Sequence, residues 1–129
     1  GRGLAVLACG TGADAAECAA VAGAIGASAR SLAGETGLIV QAALCAEAAV
    51  AVCNDSGLAH LSAAVGAPTV AIFGSTSSAW TAPLGRRVRI VQRAPVCGPC
   101  FQRACRIGTR CLEAVEVRDV LSACDAAAA

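Results

Sequence analysis

Ala49-Val-Ala-Val-Cys53-Asn54-Asp55-Ser56-Gly57-Leu-Ala-His60-Leu-Ser-Ala-Ala-Val65-Gly66-Ala67-Pro68-Thr69-Val-Ala-Ile-Phe73-Gly74 is the stretch that decides the fold. Ala49 to Cys53 is a continuous apolar run of strand length, as in a strand covered on both faces. Asn54 to Gly57 turns the chain into a helix that runs to about Val65, where Gly66 and Pro68 stop it. Thr69 to Phe73 is a second buried strand, and Gly74 ends it. A strand, a helix and a strand in so short a span predict a parallel pair joined by a helical crossover. Asp55 is suited to cap that helix by accepting from a backbone N–H two or three residues on. The N–H groups of Ser56 and Gly57 then point outward at the positive end of the helix, an arrangement that suits phosphate. Gly57 has no Cβ, so a ligand can come close to the backbone. On a helical wheel Leu58, Leu61 and Val65 form one stripe and His60 lies off it, which favours a ligand-facing histidine over plain surface or core.

The pattern continues in both directions. Leu4 to Cys9 reads as a buried strand. Gly10-Thr11-Gly12 leads to a helix opening at Asp14, where Asp14 and Glu17 have capping-box spacing. Cys18, Val21 and Ile25 follow at helical spacing, and Gly26 ends the helix. Ala29 to Ala33 holds a very short strand. Leu38, Ala42 and Cys45 mark another helix. Beyond Phe73 come a polar loop with Pro83 and Gly85, a strand from Val88 to Val91, an irregular cysteine-rich stretch from Arg93 to about Arg110, and a helix from Val117 to Cys124 whose alanine tail is expected to fray. Alternating strands and helices give an α/β fold with a Rossmann-like, mainly parallel sheet. Ligands of such sheets bind beyond the carboxyl ends of the strands, so the residues after Cys9, Cys53 and Phe73 come first.

The bulk numbers narrow the function classes. The chain has 129 residues, enough for one modest domain. Hydrophobic residues make up 57% but aromatics only 2%, so an alanine-rich core is expected to gain little per residue. A formal net charge of +1 argues against a nucleic-acid binder. Arg86, Arg87, Arg89 and Arg93 form the one basic cluster, read as a solvated loop and strand edge or as a contact for an anionic partner. No apolar stretch is long enough to span a membrane. Nine cysteines, several inside predicted helices and strands, fit reduced thiols of a cytosolic protein better than a disulfide scaffold. Cys9, Cys18, Cys45, Cys53 and Cys124 read as small core residues. Cys97, Cys100, Cys105 and Cys111 could together hold a structural zinc, but only the first pair has knuckle spacing, and thiols packing a loop are the preferred reading over zinc or a redox pair. The chain begins at Gly1 and contains no methionine, so it is expected to be part of a longer product.

Leu32-Ala-Gly-Glu-Thr36, Asn54-Asp-Ser-Gly-Leu-Ala-His60-Leu-Ser-Ala-Ala-Val-Gly66, Pro68 with Val70-Ala-Ile-Phe-Gly74-Ser-Thr-Ser77, Pro83-Leu84, and Cys97-Gly-Pro-Cys100 with Cys105 and Cys111 occur in the order of a known family. In this the chain resembles the C-terminal domain of the ADP-heptose:lipopolysaccharide heptosyltransferases, glycosyltransferase family 9. The resemblance implies the C-terminal half of a GT-B type enzyme that lacks its first strand, a partial donor domain over 1–129 without the N-terminal acceptor domain. It implies inverting, metal-independent heptose transfer with no cofactor. ADP-heptose would be the donor and the lipopolysaccharide inner core the acceptor, at the cytoplasmic face of the inner membrane with peripheral membrane contact. It implies that Asp55, Ser56, Gly57 and His60 touch the diphosphate and heptose, that Gly74, Ser75 and Thr76 line the same cleft, and that Thr11, Gly12 and Asp14 lie near the nucleoside. The general base would sit in the N-terminal domain. The family's phosphate-binding lysine, just after the first strand of the C-terminal domain, has no counterpart, so the chain alone is expected to be inactive as a transferase. The pattern departs from the family at Gly37-Leu-Ile39, where an acidic string is usual, and at Cys105-Arg-Ile-Gly-Thr109-Arg-Cys111, where a histidine is missing. A stand-alone nucleotide-binding module, or another nucleotide-sugar transferase of the same fold, are the alternatives.

Overall fold

The computed structural model describes residues 3–93 and 95–129; Gly1, Arg2 and Ala94 lie outside the described residues. The chain divides into two units, Gly1–Ala43 and Leu44–Ala129, and the boundary falls inside one helix.

The first unit is a strand–turn–helix–strand. Strand β1 (Val6–Ala8) leads through a 3-10 turn (Gly12–Asp14) into α1 (Ala15–Ile25), and β2 (Ala29–Ser31) pairs parallel to β1 with Val6 opposite Ala29. Both strands are shorter than their apolar runs suggest. Gly26, at φ +90°, caps α1 as expected and donates its N–H to Ala22 O. The expected inner stripe of α1 is not covered: Val21 and Ile25 are 51% and 45% exposed. Helix α2 (Leu38–Glu47) follows, and only its Cys45 is buried.

The second unit holds the core. Strands β3 (Ala51–Asn54), β4 (Thr69–Phe73) and β5 (Val88–Gln92) form a parallel sheet in the order β3-β4-β5. Helix α3 (Gly57–Ala64) makes the β3–β4 crossover. The side chains of β4 alternate, as a strand requires. Ala71 and Phe73 join Cys53 of β3 and Ala59 of α3 in one cluster. Val70 faces the other way, onto Val91 of β5 and Ala127 of the last helix. Strand β4 is therefore covered on both faces, which explains why it reads as an unbroken apolar run. Helix α3 ends in a Schellman motif: Gly66, at φ +82°, donates to Ala63 O, and Ala67 donates to Ser62 O.

The sequence reading needs four corrections. The buried face of α3 is Ala59, Ser62 and Ala63, whereas Leu58 and Leu61 are half-buried and Val65 is 37% exposed. The small side chains turn inward because helix and sheet lie close together, and Ser62 satisfies its hydroxyl there by donating to Leu58 O at 2.8 Å, with Cys45 Sγ 3.2 Å from the same oxygen. The final helix does not stop at Cys124. It runs from Val117 to Ala128 (α6, with the short α4, Ser78–Thr81, and α5, Arg110–Glu113, before it). Arg87 donates to Ala127 O and Ala128 O, both at 3.3 Å, and Ala127 is buried, so the alanine tail is capped and packed. The cysteine reading holds only in part: Cys45 and Cys53 are buried, and Cys9, Cys18 and Cys124 are half-buried. Finally, β3 is not covered on both faces as its apolar run suggests, since Val52 is 49% exposed. No helix among the described residues is long and apolar enough to cross a membrane.

Candidate functional site

The parallel register brings the carboxyl ends of β3, β4 and β5 to one end of the second unit, with Asn54 opposite Ile72 and Phe73 opposite Gln92. The turns that leave these ends carry the expected residues. Asp55 donates its N–H to Ile72 O, which anchors the start of its turn to β4. Ser56, extended at φ −157° and ψ 168°, takes the N-cap position of α3 and makes no side-chain cap. Asp55 is thus one residue too early to cap the helix, and its carboxylate is used elsewhere: Thr76 Oγ1 donates to Asp55 Oδ2 at 2.6 Å. Among the described residues no backbone carbonyl accepts from the N–H groups of Ser56 and Gly57. A Cβ on Gly57 would meet nothing within 4 Å, so the space beside that turn is open. His60 is exposed one turn further along α3.

Gly74, Ser75 and Thr76 follow β4, and they are held from two sides. Ser75 O accepts the N–H groups of Cys100 and Phe101 at 3.0 and 2.9 Å. Phe101, at φ +55°, stacks on Trp80 with ring centroids 5.8 Å apart. Leu112 fills the space at Gly74, where a Cβ would come within 2.9 Å of its Cδ2. Gly74 therefore gives room to α5 as well as to the turn. A cavity of about 80 Å³ lies among Gly74, Thr76, Ser77, Gln92, Gly98 and Pro99.

In the first unit Thr11, Gly12 and Asp14 form one turn, and all three are exposed. The capping box sits one turn earlier than the Asp14–Glu17 spacing suggests, because Asp14 folds back on Thr11. Its Oδ2 accepts from the Thr11 N–H and the Thr11 hydroxyl, both at 2.7 Å. Those two bonds, the hydroxyl first, hold the Asp14 carboxyl below its ordinary value of 3.8. Gly10 makes the fold-back possible, since a Cβ there would lie 2.8 Å from Asp14 Cβ. Gly34, at φ +76°, closes on Gly12: its Cβ would lie 3.0 Å from Gly12 Cα, and its N–H donates to Gly10 O. Gly10 and Gly34 escape a reading of side-chain chemistry because their contribution is the absence of a side chain.

The arginines of the basic cluster bond to the chain's own backbone and acids, whereas most of the cysteine cluster is exposed. Arg87 caps α6, Arg89 donates to Arg86 O and Val88 O, and Arg93 pairs with Asp119 at 2.8 Å. That pairing lowers the Asp119 carboxyl and raises the Arg93 guanidinium. Cys97, Cys100 and Cys105 are exposed, and Cys105 Sγ donates to Gly108 O at 2.6 Å. Among the described residues no three His, Cys, Asp or Glu side chains gather as a metal would need.

Residues 2–110 match the model of the family described as glycosyltransferase family 9 (heptosyltransferase). Lipopolysaccharide heptosyltransferase 2 of Escherichia coli (strain K12) is 43% identical over 63 residues, covering 49% of this chain and 18% of that protein. Lipopolysaccharide heptosyltransferase 1 of Pseudomonas aeruginosa is 43% identical over 61 residues, covering 46% of the chain and 16% of that protein. Among solved structures, the E. coli ADP-heptose lps heptosyltransferase II superposes with a TM-score of 0.81 at 28% identity, over 96% of this chain and 36% of the other. The family 9 glycosyl transferase of Veillonella parvula gives 0.79 at 16% identity over the same shares, which speaks for the fold alone. The chain spans about a fifth of the length of these sequence relatives and about a third of the solved chains.

Proposed function

This chain belongs to glycosyltransferase family 9, the heptosyltransferases, and we propose that it is the part of such an enzyme that binds the nucleotide-sugar donor. The observation that carries the reading is the turn at the ends of β3 and β4. Asp55 and Thr76 are joined there at 2.6 Å, beside unused N–H groups at Ser56 and Gly57 and an exposed His60. Helix-start N–H groups suit a diphosphate, and a parallel sheet offers its ligand site at this end. In this reading Ser56 and Gly57 hold phosphate oxygens, Asp55 and His60 reach the sugar and the nearer phosphate, and Gly74 to Thr76 line the same cleft. Thr11, Gly12 and Asp14 take the nucleoside side.

The donor is ADP-heptose and the acceptor lipopolysaccharide, by analogy with the relatives whose names carry those words, and the inner core as the place of transfer follows from the family resemblance. Chain 1–129 is then a partial C-terminal donor domain, and the acceptor side and the general base belong to an N-terminal domain. Transfer is inverting and needs no divalent cation, the diphosphate being met by helix N–H groups and basic side chains rather than by an acidic cluster. The enzyme works as a peripheral protein at the cytoplasmic face of the inner membrane. The chain alone is inactive as a transferase.

His60→Ala in the full-length enzyme tests the reading. Loss of one contact to a charged group is expected to lower donor kcat/KM by about 1.5–3 kcal/mol, on the order of ten- to a hundredfold, with the melting temperature unchanged. Unaltered donor kinetics would remove His60 from the site.

A further inference from the structure

We propose that Gln92, the last residue of β5, is a positioning residue for the donor turn and acts on Asp55 through Thr76. The inference rests on the donor reading above and extends it to a residue that reading does not use. Gln92 is half-buried and lies opposite Phe73 in the register of β4 and β5, so its side chain starts level with the turn that leaves β4. Its carboxamide is used at both ends. Nε2 donates to Thr76 O at 2.8 Å, and Oε1 accepts from Ser78 Oγ at 2.6 Å. The orientation of the amide follows from its partners, because a backbone carbonyl can only accept. Two bonds from one rigid group, two residues apart along the turn, fix the course of Thr76 to Ser78. With its carbonyl held, Thr76 points its hydroxyl at Asp55 Oδ2, 2.6 Å away.

A line of two hydrogen bonds, steadied by the bond from Ser78, thus ties the ends of all three strands, from β5 to the turn after β4 to the turn after β3. Its last member stands one residue before the unused N–H groups of α3. Removing Gln92 leaves the strands in place, because their ladder does not involve its side chain, but it frees the Thr76 turn. A neutral amide also suits the place. A carboxylate would face the Thr76 carbonyl and bring a second negative charge toward Asp55, where an anionic donor is to bind.

The test is donor kinetics on the full-length enzyme. Gln92→Ala is expected to raise donor KM about tenfold with kcat nearly unchanged, the loss of one hydrogen-bonded link, and Gln92→Glu to raise it further. Thr76→Val should match Gln92→Ala, and Thr76→Ser, which keeps the hydroxyl, should restore most of the loss. The double variant Gln92→Ala/Thr76→Val should be no worse than the worse single one, because both break the same line. Effects that multiply would overturn the inference. If Gln92→Ala fails to fold, Gln92→Glu, which keeps the acceptor for Ser78, carries the same comparison. A raised KM in His60→Ala beside an unmoved one in Gln92→Ala and Gln92→Glu overturns the role of Gln92 and leaves the donor reading standing. If KM moves in none of them, amide chemical shifts separate the two ideas. Displaced Ser56 and Gly57 signals in Gln92→Ala support the positioning line and discard the donor reading, and undisplaced ones overturn the positioning line.

Discussion

The units over Gly1–Ala43 and Leu44–Ala129 use the same device, a strand, a tight turn, a helix and a parallel strand, yet they hold it together differently. In the first, none of the described residues is buried, and Leu4, Leu7, Val21 and Ile25 are all close to half exposed. Its order comes from the short β1–β2 ladder, the Asp14 fold-back and the closure of Gly34 on Gly12. In the second, Phe73, Val70, Thr69 and Ser62 are fully buried between two helices. A shared backbone motif therefore does not imply a shared source of stability. Where the side chains are alanine and glycine, close backbone approach takes over from apolar burial.

The largest effect expected from this contrast is at Phe73. Phe73→Ala should destabilise the second unit by about 3–5 kcal/mol in urea unfolding, the usual cost of emptying a packed aromatic site. Leu7→Ala, at a site 45% exposed, should cost less than about 1 kcal/mol. Equal losses would break the comparison.

A glycine pair sharpens it. Gly34→Ala forces a left-handed residue against the Gly12 backbone and should cost about 1–2 kcal/mol or more, read as lost hydrogen-exchange protection in the first unit. Gly57→Ala meets open space at an ordinary φ and should change stability by no more than about 0.5 kcal/mol. If the donor reading is right, it still raises donor KM by crowding the turn. A large stability loss at Gly57 would show that its space is not open.

The smallest effect concerns acid. Asp14 in the first unit and Asp119 in the second both have carboxyls held below the ordinary 3.8, one by Thr11 and the other by Arg93. A depressed folded-state value means that the stabilising contribution is present above the unfolded value and is lost as pH falls through the folded one. NMR titration of the two side chains should give midpoints below that of an unstructured aspartate. Added salt should raise the Asp119 midpoint more than that of Asp14, because only the former leans on an opposite charge. Equal salt responses would contradict the assigned causes.

How much of this was legible in the sequence depends on what kind of signal each feature leaves. Strand β4 was readable because a strand covered on both faces must be an unbroken apolar run, and the structure covers it on both faces, whereas the same pattern in β3 overstated its burial, Val52 being 49% exposed. The stripe of α3 was misread because large side chains were assumed to face inward, whereas a close helix–sheet approach selects Ala59, Ser62 and Ala63. The order of the α6 tail could not be read from four alanines, since it depends on Arg87, forty residues away for the Ala127 bond. At the candidate site the residue types after Cys53 and Phe73 were found from strand ends and capping chemistry. Asp55 was given the wrong partner, though, because Thr76 lies 21 positions on and nothing local announces the pair. Gln92 left no signal, as a glutamine at a strand end usually faces solvent.

The closure of Gly34 on Gly12 also sets a rule for sequence drift. With a Cβ at position 34 due to lie 3.0 Å from Gly12 Cα, neither rotamer choice nor a smaller neighbour can make room, because the obstacle is main chain. Position 34 can therefore not take a side chain while that turn keeps its course, whereas a Cβ at Gly12 would meet nothing within 4 Å. A homologue with a side chain at 34 must also have re-routed the turn from Gly10 to Asp14, so an alignment should show a side chain at 34 only where that turn has changed as well.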